Sequence, residues 1–223
     1  MQFIYHQNSG ETNLLVDGEL YNYIFKVKRL NKEEYIFFRN LNDKNLYQYK
    51  VTTIDRRKAS LELISFEEKI IEPKKELHIG WCKIDSKSIE KYIASLNELG
   101  VSKITIINCE FSQKQFKINF EKLEKLLINS SQQSGRSSII DIDISNSLEQ
   151  FIKDYPNSYM LNFSKNNIET KKEDIDTIIL GCEGGFSNNE IDYFNKNKIV
   201  GIDSDIILRS ETAIVTIASK ILV

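Results

Sequence analysis

Two loops near the C-terminus hold the residue types that could do chemistry. The first, Gly181-Cys182-Glu183-Gly184-Gly185-Phe186-Ser187, sets three glycines within five residues around one carboxylate. Glycine lets a backbone turn tightly and bring its amides close to a ligand. The second, Ile207-Leu208-Arg209-Ser210-Glu211-Thr212-Ala213, sets a guanidinium between an apolar pair and a hydroxyl. Each loop follows a short apolar run and opens into a helix-like pattern. Backbone amides and a helix N-terminus at such a turn hold small polar ligands well. The G-x-x-G-G spacing is neither the G-x-G-x-x-G of a dinucleotide site nor the G-x-x-x-x-G-K-[ST] of a P-loop. Taken alone, either loop reads equally well as an ordinary strand-to-helix turn.

The elements that must position these loops follow from periodicity. Residues 77–82 read as a strand, and Ile89, Tyr92, Ile93, Leu96 and Leu99 repeat at helical spacing before Gly100 stops them. Residues 101–107 form the next strand. Phe120, Leu123, Leu126 and Leu127 mark a helix that ends at the Ser134-Gly135-Arg136 turn. Strands are predicted over 140–144, 159–163, 175–180 and 198–202, a short helix around Leu148, Phe151 and Ile152, and a last helix over 211–223. Ser187 and Glu190 make an S-x-x-E capping box. This alternation predicts a mostly parallel α/β sheet with ligands at the strand C-terminal ends. Before Pro73 the pattern changes. Tyr35-Ile36-Phe37-Phe38, residues 46–51 and residues 59–64 are β-branched or aromatic runs separated by polar turns, which predicts a small antiparallel barrel. Residues 21–30 read as a short helix or an irregular crossing. The expected domains are therefore 1–72 and 73–223.

Composition sets bounds. The 223 residues are 41% hydrophobic and 28% charged, with two prolines, nine glycines and a formal net charge of −2. That is an ordinary globular balance, and bulk charge does not advertise nucleic acid, so any RNA contact must use local basic groups. Lys26, Lys28, Arg29 and Lys32 form one such group and Arg56-Arg57-Lys58 another. Residues 1–72 carry 11 basic and 11 acidic residues, so a solvated face is an equal reading of both groups. Cys82, Cys109 and Cys182 are odd in number and lack C-x-x-C spacing, which predicts reduced thiols in a cytoplasmic protein and no zinc site. The start, Met1-Gln2-Phe3-Ile4-Tyr5-His6, has no basic and apolar signal pattern, and no apolar run is long enough to span a membrane. His6 and His78 have no partner pattern for a metal.

Together the two loops resemble the C-terminal signature of the RsmE family of ribosomal RNA methyltransferases, in the SPOUT superfamily. The family's G-P-E-G-G-[FLW]-S-x-x-E stands here as Gly181-Cys182-Glu183-Gly184-Gly185-Phe186-Ser187-Asn188-Asn189-Glu190. Its [IV]-L-R-[TA]-E-T-A is matched from Ile207 to Ala213, and its E-Q-[SC]-G-R appears as Gln132-Gln133-Ser134-Gly135-Arg136. Val27-Lys28-Arg29-Leu30 is similar to the V-L-R-[LM] element of the family's N-terminal domain. Three departures stand out: Gln132 replaces an acid, Cys182 replaces proline, and Ser204-Asp205-Ile206 replaces G-x-R.

The resemblance implies a C-terminal SPOUT-type parallel sheet with a trefoil knot and an N-terminal PUA-like RNA-binding β-barrel. It implies an S-adenosylmethionine-dependent methyltransferase acting on N3 of a uridine in small-subunit (16S) ribosomal RNA, as a homodimer without a metal. Leu180, Gly181, Gly184, Gly185, Ile207, Leu208 and Ser210 become the expected cofactor contacts. Uracil N3 carries a proton at neutral pH, so a base, or a cation that stabilises the uracil anion, is useful. Arg209, Glu183 and Arg136 are the catalytic candidates, and Lys26, Lys28, Arg29, Arg56, Arg57 and Lys58 the expected RNA contacts. Glu211 reads as a first-turn carboxylate favoured by the helix dipole. Two alternatives stay open: a non-catalytic RNA-binding or ribosome-assembly factor on the same fold, and a SPOUT methyltransferase with another RNA target.

Overall fold

Period-two burial begins at once in the chain. In β2 (Asn13–Asp17), Leu14 and Val16 are buried while Leu15 is 54% exposed. A computed structural model of the protein describes residues 3–112 and 115–223. It divides into two compact units, Met1–Glu72 with Ser131–Ser138, and Pro73–Ser130 with Ile139–Val223.

In the first unit, β1 (Ile4–Tyr5), β2, β3 (Tyr35–Arg39), β4 (Asn45–Ile54) and β5 (Lys58–Glu68) form one curled sheet in the order β1-β3-β4-β5-β2. Register shifts in the β4–β5 pair bend the ribbon. Phe38 packs edge-on against Tyr49 at 5.5 Å, with Val16, Val51 and Leu61 around them. The expected antiparallel barrel is corrected at one strand: β1 pairs parallel with β3. The ambiguous stretch after β2 is helix α1 (Gly18–Tyr21) running into a π-helix over Asn22–Val27.

The second unit is a six-stranded parallel sheet in the order β11-β9-β10-β6-β7-β8. Its strands are β6 (His78–Cys82), β7 (Lys103–Ile107), β8 (Asp141–Ser145), β9 (Tyr159–Leu161), β10 (Thr177–Leu180) and β11 (Ile199–Val200). Every residue of β6 is buried, as a strand covered on both faces must be. Helix α2 (Ser86–Leu99) starts on Asp85, whose carboxylate accepts from Lys87 N and Ser88 N, and ends on left-handed Gly100. Helices α3 (Phe120–Ser134, of which residues 131–134 belong to the first unit), α4 (Leu148–Asp154), α5 (Asn188–Ile191) and α6 (Ser210–Leu222) complete it. Residues 162–168 and 200–201 cross at close quarters. Asn162 N donates to Val200 O, Gly201 N to Asn166 O and Ile168 N to Gly201 O. A Cβ on Gly201 would lie 2.3 Å from Ser164 O, so only glycine fits this crossing.

The expectation of three reduced thiols is corrected as well. Cys82 and Cys109 form a disulfide, with Cα atoms 5.6 Å apart. The β6–β7 register sets Cys82 opposite Ile107, two residues before Cys109, and no spacing rule along the chain captures that juxtaposition. Cys182 is a free, buried thiol.

Candidate cofactor and substrate site

The two chemistry-bearing loops lie together. Ser210, the first residue of α6, is buried, and its hydroxyl donates to Gly181 O at 2.6 Å while accepting from Trp81 Nε1 at 2.9 Å. A β6 tryptophan thus braces the junction of the β10 loop with α6. Ser210's side chain is occupied inside the protein, and Leu180 is a core residue, 1% exposed. What these two can offer a ligand is backbone.

The glycine loop closes as a tight turn, with Gly185 N donating to Cys182 O at 2.9 Å. The left-handed residue is Gly185, at φ 71°. Gly184 has an ordinary φ but faces the Phe111 side chain, 3.2 Å from where its Cβ would be. The capping box is present: Ser187 Oγ accepts from Glu190 N, and Glu190 Oε2 from Ser187 N. Buried Glu190 also accepts from Glu110 N at 2.8 Å, which ties the loop after β7 to the glycine loop. Burial pushes the Cys182 thiol up, so it stays protonated at neutral pH. Sequence reasoning missed Trp81, Glu110 and Phe111, because nothing local marks a strand tryptophan or a loop phenylalanine as neighbours of a distant glycine.

Arg209 is the N-cap residue of α6 and is exposed, as is Glu183 on the glycine loop. Ile206 and Ile207 are 74% and 76% exposed and Leu208 is half-buried, an apolar run with one side open. Glu211 is 9% exposed, and its Oε2 is buried without a hydrogen-bond partner. Such an orphan acceptor costs about 1–3 kcal/mol until a donor arrives. Open apolar side chains and an unfilled buried acceptor beside a glycine turn fit a ligand with an aromatic base and several N–H and O–H donors.

Arg136 belongs to the first unit. It is buried, and its Nε donates to Glu72 Oε2 and to Ser138 Oγ, both at 3.1 Å. Ser137 and Ser138 hydroxyls also donate to Glu72, at 2.8 and 2.9 Å, and together these bonds hold its carboxyl below the usual range against the opposing effect of burial. Gln132 Oε1 accepts from Tyr5 N at 2.8 Å. The two basic groups of this unit are exposed throughout. Tyr21 OH donates to Asp55 O at 2.6 Å, which ties the helix before Lys26, Lys28 and Arg29 to the hairpin turn carrying Arg56, Arg57 and Lys58. Among the described residues no group of three or more His, Cys, Asp or Glu could hold a metal, and no helix is long and apolar enough to cross a membrane.

Residues 72–222 match the family model described as RNA methyltransferase domain, and residues 16–64 that of an RNA methyltransferase PUA domain. The chain is 34% identical to Ribosomal RNA small subunit methyltransferase E of Helicobacter pylori (strain ATCC 700392 / 26695), over 98% of each chain. It belongs to the ribosomal RNA small subunit methyltransferase E family. The family relative from Aquifex aeolicus is 26% identical over 97% of this chain and 96% of its own. Among solved structures, a probable rRNA-methyltransferase from Porphyromonas gingivalis superposes with a TM-score of 0.81 at 21% identity, covering 97% of this chain and 95% of the other. A methyltransferase E from Neisseria gonorrhoeae, bound to S-adenosyl methionine, gives 0.74 at 16% identity over 98% and 95%. The α/β architecture is thus the family's, a SPOUT-type parallel sheet with a PUA-like N-terminal barrel. The chain is an RNA methyltransferase of the small-subunit ribosomal RNA.

Proposed function

We propose that the protein transfers a methyl group from S-adenosylmethionine to N3 of a uridine in 16S ribosomal RNA. The observation that carries this reading is the Ser210–Gly181 bond, which sets exposed Arg209 beside the glycine turn. Residues 73–223 are the catalytic domain and residues 1–72 the RNA-binding barrel. The cofactor would lie against Leu180, Gly181, Gly184, Gly185, Ile207, Leu208 and Ser210, taking backbone hydrogen bonds from the loops and apolar contact from Ile207 and Leu208. Bound there, it supplies an electrophilic methyl on a sulfonium. The chain's own task is to hold uracil in line with that methyl and to stabilise charge as the N3 proton leaves. Arg209 faces the developing uracil anion, and Glu183 accepts the proton directly or through water. Arg136, with its guanidinium engaged by Glu72, acts by holding the 131–138 segment that carries the family's Q-S-G-R run.

Lys26, Lys28, Arg29, Arg56, Arg57 and Lys58 contact RNA phosphates. The protein works as a homodimer, whose partner completes the site, in the cytoplasm where ribosomal subunits are made. Among the described residues, the Cys82–Cys109 disulfide is the one feature that sits against a reducing compartment. The deciding experiment is mass mapping of small-subunit ribosomal RNA from a strain with this gene deleted. One uridine lacking a methyl on N3, restored by the wild-type gene, is the expected result. A full set of methylated uridines in the deletion strain would refute the activity, and no calorimetric signal with S-adenosylmethionine would leave an RNA-binding factor.

A further inference from the structure

At the C-terminal end of the sheet, on the β6–β7–β8 side of the glycine turn, lies a cleft of about 350 Å³. It is lined by Lys83 just after β6, Asn108 just after β7, Ile144 on β8, and Phe116 and Lys117 on the segment leading to α3. Phe116 is 38% exposed and Ile144 48%, so the apolar part of the lining is open. No carboxylate lines the cleft among the described residues, and there neither Lys83 nor Lys117 forms an ion pair. Acids and lysines elsewhere on this sheet are matched. At its other end, Lys103 pairs with both Asp141 and Asp143.

We infer that this cleft binds single-stranded RNA flanking the target nucleotide, with a base against the Phe116 ring and phosphates on Lys83 and Lys117. Two uncompensated ammonium groups beside an open aromatic ring match a strand with a charged backbone and flat, stackable bases. Location supports the same occupant. Strand β6 lies next to β10, β7 next to β6 and β8 next to β7. Neighbouring strands are about 4.8 Å apart, so the cleft begins roughly one strand spacing from the loop that follows β10. An RNA whose target uridine reached that loop would have its neighbouring nucleotides over the cleft. The Asn108 amide is placed to read a base edge, and its Nδ2 is only weakly engaged by Ser145 O, at 3.5 Å.

This inference rests on the methyltransferase reading, and its test keeps the two apart. The full-length protein, Lys83→Ala/Lys117→Ala, Phe116→Ala and Phe116→Tyr are compared in two assays run in parallel. One is anisotropy of a fluorescent single-stranded oligouridylate across a potassium chloride series. The other is methyl transfer to small subunits purified from the deletion strain. The double lysine variant is expected to bind the oligouridylate at least tenfold more weakly, with the salt slope reduced by about 0.7 per lost phosphate contact. Phe116→Ala should lose about tenfold, and Phe116→Tyr, which keeps a stacking ring, should bind like wild type. In the transfer assay KM for subunits should rise at least tenfold, with kcat and calorimetric cofactor affinity within twofold of wild type. Oligouridylate affinity and salt slope identical to wild type in both the lysine and alanine variants would overturn the inference. Weaker docking on subunits with unchanged RNA binding would also overturn it, assigning the cleft to a ribosomal protein. No methyl transfer by the wild type would sink the proposed activity alone, and the anisotropy result would still decide the cleft.

Discussion

Arg209 caps α6 with its backbone while its side chain stays exposed beside the glycine turn. If that guanidinium stabilises the uracil anion, Arg209→Ala should lower single-turnover methyl transfer by about 10²–10³ at saturating cofactor, the usual loss for one preorganised donor. Cofactor affinity should hold, and Arg209→Lys should recover only part of the rate, since an ammonium lacks the planar fork. Near-normal turnover in an intact protein would remove Arg209 from the reaction. Gly185 makes a different demand. Its φ of 71° strains a β-branched residue by about 1–2 kcal/mol, and nothing lies within 4 Å of its missing Cβ. Gly185→Val should therefore leave the core intact but re-shape the turn that Cys182 and Gly185 close. A tenfold or greater loss of S-adenosylmethionine affinity is expected by titration, with the unfolding midpoint lowered by no more than that strain. Wild-type affinity would clear the turn of any part in cofactor binding.

At the scale of elements, the crossing of residues 162–168 with 200–201 leaves no room for a side chain at Gly201. Gly201→Ala places a methyl 2.3 Å from Ser164 O, and a backbone atom cannot rotate away as a side chain would. Overpacking typically costs about 1–3 kcal/mol, and parting these segments also threatens the bonds of Gly201 N to Asn166 O and Ile168 N to Gly201 O. A fall in the urea midpoint equivalent to ~3 kcal/mol is expected, and an unchanged midpoint would show that the crossing yields easily. In the first unit, neutralising Lys28, Arg29 and Arg57 should flatten the salt dependence of RNA binding by roughly 0.7–0.9 log units per lost phosphate contact, leaving cofactor affinity alone. A slope equal to wild type would make these residues a solvated face.

These elements also mark how far the sequence could be read. Helix α2 was legible because Ile89, Ile93 and Leu96 repeat on one face and Gly100 ends it, and α5 because Ser187 and Glu190 signal each other locally. Strands β1 and β2 were not, being short and partly polar, and neither was the turn of Gly181 against Ser210, which exists only because β10 and α6 meet. The Cys82–Cys109 bond and Phe111 over Gly184 belong to the same class: contacts made by strand order, invisible to spacing along the chain.

For the whole molecule, the clearest physical handle on stability is acid. His78 starts β6 and is buried, with Nε2 2.8 Å from Thr105 Oγ1 and its ring edge-on to Tyr155 at 4.4 Å. Burial, helped by the nearby Lys103 ammonium, pushes this imidazole down to about 4, although Asp143 and Asp141 pull the other way. An unfolded histidine titrates near 6.5. Between these values the unfolded chain takes up a proton that the folded one refuses, so stability falls as pH drops from about 6.5 to about 4 and then levels for this group. His6 is lowered by burial too and adds a loss of the same sign from the same upper limit. Asp143 acts further down. Burial raises its pKa, but hydrogen bonds from Lys103 and Thr105 outweigh that and hold it below the ordinary value, so the stability it contributes is lost only under stronger acid. Urea unfolding at pH 7, 5.5 and 4.5 should show the midpoint falling steadily. In His78→Gln, which keeps a polar group within reach of Thr105 but cannot take up a proton, the fall should be visibly shallower, leaving the share owed to His6. An equal fall in both proteins would mean that His78 takes up its proton in the folded state as readily as in the unfolded chain, and would move the acid sensitivity of the sheet to its carboxylates.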